Sequence, residues 1–167
     1  NIYPEPTYID ILMITRKLAT PIAHIHRQGL VHLDVKLENY VEEDSCNYVM
    51  IDFEHAQWFK KDYYDQDSLG KISGTFPYMA PEIRAFKYGP TSDIYSLGCV
   101  LYMIISRCYP DTNNVANNWT PIRTKAPGLE DLVLAMLQSN HRMRPTVFDV
   151  LRDVNALIYR HPKNIIV

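Results

Sequence analysis

Over residues 9–29, apolar positions fall at Ile11, Ile14, Leu18, Ile22 and Ile25, a spacing that predicts one buried helical face. The prolines in "NIYPEPTYID" mark a turn leading into that helix. Pro21 lies inside the pattern, where an unbroken helix would lose about 3 kcal/mol. The expectation is a restart, with Thr20 capping a second segment and Pro21 in its first turn. Gly29 then ends the helix. Over residues 30–50 the pattern changes to short extended pieces, "LVHL", "NYVEE" and "NYVMID", with an acidic turn at 42–45. Residues 54–73 are polar, tyrosine-rich and aperiodic, which predicts a long surface loop.

The stretch "DIYSLGCVLYMIISR" is apolar on nearly every side. It predicts a helix at about 92–107 in the centre of the core, capped by Thr91 or Ser92. "PDTNNVANNWTP" is a loop by composition. "LEDLVLAML" puts Leu129, Leu132, Val133, Met136 and Leu137 on one helical face, and "TVFDVLRDVNALI" is a second amphipathic segment. The predicted fold is mainly α, of α+β type. A central buried helix is surrounded by others, with a few short β-strands and no internal repeats.

Length and charge narrow the function classes. A chain of 167 residues supports one domain around one core. A net charge of −2 offers no attraction for nucleic acid or an anionic membrane. The longest apolar run, residues 97–105, is too short to cross a bilayer, and no basic-then-apolar leader is visible. Cys46, Cys99 and Cys108 form no CxxC pair, which suits a reduced, cytoplasmic or otherwise intracellular protein. "NWT" at Asn118 is read as a chance glycosylation triplet.

The candidate chemistry lies in "HLDVKLEN", residues 32–39. Phosphoryl transfer needs a carboxylate to orient or deprotonate the acceptor hydroxyl, a cation near the transferred group, and oxygen ligands for Mg²⁺. Asp34, Lys36 and Asn39 supply these types within one short loop, and Asp52 in "IDFE" adds a second carboxylate. An amide–carboxylate pair suits Mg²⁺, which takes few protein ligands alongside substrate phosphates. Each residue alone reads as a turn residue or a solvated charge. His24 and His26 have no ligand partners at metal spacing and are read as helix-surface or packing residues. Trp58, Tyr63 and Tyr64 are read as loop packing, since no basic stripe accompanies them.

Taken in order, these stretches resemble the eukaryotic-type protein kinases. "HLDVKLEN" is similar to the catalytic loop, "DFE" to the metal-binding Asp-Phe-Gly, and "GTFPYMAPE" to the substrate-docking segment. "SDIYSLGCVLYMI" resembles the central helix with its aspartate, Asp93, and "RMRPT" carries the arginine, Arg144, that pairs with the docking-segment glutamate, Glu82. The resemblance implies a serine/threonine kinase, using ATP and Mg²⁺ on a protein Ser/Thr substrate. Asp34 would be the catalytic base, and Lys36 would stabilise γ-phosphate charge. Asn39 and Asp52 would hold the metal and nucleotide, and Thr75 would bond into the Asp34–Lys36 pair. Val41 would lie under the adenine, with His32 and Phe53 stacked in the spine behind it. Glu82, Asp93 and Arg144 would be structural.

The resemblance covers the larger, C-terminal lobe: a single domain over 1–167, with catalytic loop 32–39, activation segment 52–82 and the central helix. Three departures stand out. Leu33 replaces the arginine that grips an activation-loop phosphate, which weakens the case for control by a phosphate at Ser73 or Thr75. Glu54 replaces the metal-loop glycine. The stretch after the central helix is short, so a helix used for docking is expected to be truncated. No GxGxxG occurs and no lysine precedes Lys17, so the β-rich N-terminal lobe is expected to be absent from these residues. Two readings follow. One is a catalytic lobe completed by a small lobe, with this stretch alone inactive. The other is a pseudokinase or mini-kinase module that docks on another kinase.

Overall fold

The computed structural model describes residues 5–44, 47–60, 67–110 and 125–161. The expectations at Cys46, at Tyr63 and Tyr64, for the loop 111–121 with Asn118, and for Pro4 lie outside the described residues. Helix α1 spans Tyr8–Arg27 without interruption. A reciprocal cap starts it: Thr7 Oγ1 accepts from the Asp10 amide, and Asp10 accepts from the Thr7 amide at 2.9 Å. The restart expected at Pro21 does not occur. Burial of Leu18, Ala19, Ile22 and Ala23 on both sides of Pro21 offsets the amide bond it lacks. Thr20, expected as a cap, instead donates its hydroxyl to the Arg16 carbonyl at 2.8 Å. Gly29, at φ +83°, turns the chain just past the last helical residue.

Strands are short and pair antiparallel. β1 (Leu30–Val31) pairs with β4 (Gln57–Trp58), and β2 (Tyr40–Glu42) pairs with β3 (Tyr48–Met50). β5 (Asp67–Ser68) pairs with β6 (Lys87–Tyr88). The region 54–73, expected as loop throughout, thus contributes two strands. Each is two residues long, too short for an alternating pattern to register in sequence.

Helix α2 spans Pro90–Ser106 and is buried along most of its length. Its cap is Gly89, earlier than Thr91 or Ser92. Pro90 occupies the first turn, where its missing N–H costs nothing. Ser92 reaches back, its hydroxyl accepting from the Gly89 amide at 3.2 Å. Helix α3 (Glu130–Met136) buries the expected face, with Leu129, Leu132, Val133, Met136 and Leu137 all in the core. Helix α4 (Val147–Arg160) is capped by Thr146 with Asp149 and packs along α1. Helices dominate the described residues; α1 and α3 pack on α2, and α4 packs on α1. None is long and apolar enough to cross a membrane. Cys99 is buried and Cys108 exposed, and neither forms a disulfide.

Candidate active site

The loop between β1 and β2 is built around Asp93, in the first turn of α2. Asp93 Oδ2 accepts from the His32 amide at 2.9 Å and lies 2.8 Å from His26 Nε2, while Oδ1 accepts from the Leu33 amide at 2.8 Å. All of these groups are buried. Leu33 sits at φ +65°, a conformation that costs a residue with a Cβ about 1–2 kcal/mol. The charge-assisted bond to Asp93 holds it there. His26, expected as a helix-surface or packing residue, is buried against Asp93. Only the long-range approach of α1 to α2 reveals it as a partner of Asp93, a separation of 67 positions that carries no local signal.

Asp34 is buried at the centre of the next turn. Its Oδ1 accepts from the Thr75 hydroxyl at 2.6 Å, and its Oδ2 lies 2.8 Å from Lys36 Nζ and accepts from Asn39 Nδ2 at 3.0 Å. Lys36 Nζ donates to Thr75 Oγ1 at 2.8 Å, and Asn39 Nδ2 also donates to the Asp34 carbonyl at 2.8 Å. Four of the expected site residues therefore form one closed network. Burial pushes the Asp34 carboxyl up, but hydrogen bonds from Lys36, Thr75 and Asn39 and the Lys36 charge outweigh it, holding the group below the usual range. Asp34 is thus an ionised carboxylate at neutral pH.

Asp52 is positioned through its neighbour. The Ile51 amide donates to the Asn39 carbonyl at 3.0 Å, and the Ile51 carbonyl accepts from His32 Nε2 at 3.0 Å. His32 Nδ1 accepts from the Asp34 amide at 3.3 Å, so the ring carries its proton on Nε2. Asp52 itself is exposed, at φ +60°, a region that aspartate enters more readily than most residues. Glu54, in the glycine position, has no positive φ; the backbone strain falls on Asp52 instead.

Oxygen donors suited to Mg²⁺ are present. With its amide nitrogen committed to Asp34, Asn39 offers its carbonyl oxygen, and Asp52 offers an exposed carboxylate. Among the described residues no cluster of three or more His, Cys, Asp or Glu forms a metal cage. Asn39 and Asp52 are thus two oxygen donors of the kind Mg²⁺ takes, with its other positions left to non-protein ligands.

His32 and Phe53 make the expected ring contact, edge to face with centroids 5.0 Å apart. Phe53 is not core, however: it is 43% exposed, as are Val41 at 44% and Ile51 at 41%. These three lie around the β2–β3 hairpin. Of the three, Phe53 lines a groove of about 390 Å³ against α1, whose walls include Pro21, Ile25, Tyr48 and Val49 together with His24 and Glu43.

The docking segment is anchored from below. Arg144 pairs with both Glu82 oxygens at 2.7 and 2.8 Å and donates to the carbonyls of Gln138, Thr91 and Ser139. Its guanidinium also lies over the Tyr95 ring at 4.9 Å. Ser92 adds a hydroxyl to Glu82 at 2.8 Å. Burial pushes Glu82 up, but the bonds and charge of Arg144 hold it below the usual range.

A protein kinase domain model matches residues 7–154. Calcium-dependent protein kinase 16 of Oryza sativa is 29% identical over 154 residues, covering 83% of this chain and 27% of the relative. NUAK family SNF1-like kinase 1 of Mus musculus is 30% identical over 146 residues, covering 81% of this chain and 21% of the relative. The "Probable serine/threonine-protein kinase KIN1 homolog" of Encephalitozoon cuniculi is 37% identical over 97 residues, covering 57% of this chain and 16% of the relative. The chain thus spans under a third of the length of these three. With a domain match across most of its length and relatives of one kind, this chain belongs to the eukaryotic-type protein kinase family.

Proposed function

We propose that residues 1–167 are the catalytic, C-terminal lobe of a serine/threonine protein kinase, which transfers phosphate from ATP to a protein hydroxyl once a small lobe completes the nucleotide site. The observation that carries this reading is the Asp34 network. A carboxylate offers about four acceptor positions. Thr75 takes one on Oδ1, and Lys36 and Asn39 take both on Oδ2. The position left on Oδ1 is where a Ser/Thr hydroxyl would donate, its proton passing to Asp34 as the oxygen attacks the γ-phosphorus and the bond from that phosphorus to ADP breaks, releasing ADP. Lys36, already beside Asp34, is placed to balance charge on the transferred group. Asn39 and Asp52 would hold Mg²⁺, which when bound supplies charge neutralisation on the nucleotide phosphates. Val41, open on the β2–β3 surface, would contact the adenine. The test is phosphotransfer to Ser/Thr peptides by the full-length protein. Asp34→Asn is expected to abolish it, and equal activity in that variant would refute the reading.

A second reading rests on one observation, the exposed Val41, Ile51 and Phe53, of which Phe53 lines the α1 groove. An apolar surface of this kind marks a partner. In the first reading the small lobe covers it. In the second, the chain is a pseudokinase or mini-kinase module whose partner is another kinase. Calorimetry with Mg-ATP separates the two: a full-length protein that binds a partner kinase but neither binds nucleotide nor transfers phosphate selects the module.

A further inference from the structure

We propose that Tyr40 is a positioning residue for the Asn39 amide that would hold Mg²⁺, its hydroxyl fixing that residue against α1; the assignment rests on the kinase reading above. Asn39 is buried, and its amide nitrogen is spent on the Asp34 carbonyl and carboxylate. Those two bonds orient the amide plane and leave its oxygen for a metal. They do not set how far the residue stands from α1. Tyr40, the next residue and the first of β2, does so. Its hydroxyl donates to the Leu18 carbonyl on α1 at 3.1 Å. Inside an α-helix a carbonyl already accepts from the amide four positions on, so the hydroxyl takes the second lone pair and the helix does not depend on it.

Further contacts stiffen this strut. The Tyr40 ring meets the Tyr48 ring edge to face, centroids 6.5 Å apart, and Tyr40 pairs with Met50 across the hairpin. Just past Met50, the Ile51 amide donates to the Asn39 carbonyl at 3.0 Å. Burial, with the Asp93 charge adding to it, pushes the Tyr40 hydroxyl well above the ordinary tyrosine range, so it remains a donor at neutral pH. Successive strand residues face opposite ways. Tyr40 points at α1, while Val41 is open to solvent on the other side. A ring without the hydroxyl would fill the same space. It would not hold the same distance, because dispersion contacts lack the direction of a hydrogen bond. Removing an outer partner that sets a metal ligand in this way typically weakens metal affinity by about tenfold or more.

The experiment uses the full-length protein and Tyr40→Phe, which keeps the ring and removes one oxygen. Mn²⁺ binding in the presence of a non-hydrolysable ATP analogue is followed by electron paramagnetic resonance. The Mg²⁺ dependence of phosphotransfer and urea unfolding are measured beside it. Tyr40→Phe is expected to weaken Mn²⁺ binding about tenfold, and to raise the Mg²⁺ needed for half-maximal transfer by a similar factor. Excess Mg²⁺ should restore the maximal rate, which separates a misplaced ligand from a damaged fold. With transfer intact in the wild type, unchanged Mn²⁺ affinity in Tyr40→Phe overturns the positioning role and leaves the kinase reading standing. A rate loss that Mg²⁺ does not restore, or an affinity loss that comes with loss of the cooperative urea transition, overturns it equally. Mn²⁺ binding that depends on the Tyr40 hydroxyl, without any transfer, overturns the catalytic reading and upholds the positioning. A wild type that takes up neither Mn²⁺ nor nucleotide overturns both.

Discussion

A Cβ built on Gly74 would lie 2.5 Å from the carbonyl oxygen of Leu33. Gly74 also adopts φ +100°, so an added methyl meets both a clash with backbone and a forbidden conformation. This contact brings the segment carrying Thr75 close enough to bond Asp34. Gly74→Ala is expected to destabilise the fold by about 1–3 kcal/mol and to depress phosphotransfer further by moving Thr75. Urea unfolding, read beside phosphotransfer in the full-length protein, checks both effects.

Removing the charge of Asp93 leaves one of the two amides, of His32 or of Leu33, without its acceptor oxygen. Asp93→Asn keeps the shape but turns one carboxylate oxygen into an NH₂ that must face a donor. The expected loss is about 3–5 kcal/mol, the usual consequence of breaking a buried charged network from one side. His26→Phe should cost less, since both backbone bonds survive it. A larger loss in His26→Phe than in Asp93→Asn would contradict this ordering.

The Glu82–Arg144 pair makes a sharper test because both partners can be replaced together. Glu82→Gln strands a buried guanidinium and is expected to cost about 3–5 kcal/mol. A double replacement, Glu82→Gln with Arg144→Met, compared with each single change, should recover part of that loss. Additive losses in the double-mutant cycle would show that the pair does not act as a unit.

Stability should fall on the acid side. Asp34 and Glu82 are both held below the ordinary carboxylate range, so the unfolded chain binds protons at these sites before the native state does. Their contribution is complete above the unfolded carboxylate range, about pH 4, and disappears as pH drops through the lower folded values. Lys36→Met removes the cation but leaves the burial. The Asp34 carboxyl should then titrate higher, shifting the acid limb of the pH–rate profile upward. An unmoved acid limb would argue that another group controls it.

Control by phosphate on the docking segment is not expected. Ser73 is buried, and the Thr75 hydroxyl is engaged by both Asp34 and Lys36. Where an arginine would reach out to a phosphate, Leu33 packs into the core. Phosphatase treatment of the full-length protein should leave phosphotransfer unchanged, as rate assays before and after treatment would show.

The helices were readable because their signals are local and repeated. The spacing of Ile11, Leu18, Ile22 and Ile25 survives Pro21, although the proline alone argued for a break. Tertiary burial outweighed that single amide. Asp34, Lys36 and Asn39 were visible because one turn holds all three. Thr75 entered only through the family resemblance, since its bond to Asp34 spans 41 positions. The bond of His26 to Asp93 spans 67 positions and leaves no local signal either, so its helical setting shows it only as a surface or packing residue. The exposure of Phe53 could not be read at all: a phenylalanine beside a catalytic loop has the same letter whether or not another surface covers it.

Ser92 and Asp93 are adjacent residues in the first turn of α2, yet they serve different masters. Ser92 ties down Glu82 and with it the docking segment, while Asp93 ties down the catalytic loop. Both halves of the site therefore share one datum, a single turn of buried helix. Any tilt or translation of that turn carries the segment holding Glu82 and the loop holding Asp34 in the same direction. Their spacing is then insensitive to breathing elsewhere in the lobe, whereas a change that parts Ser92 from Asp93, such as an inserted residue, would throw the two out of register at once.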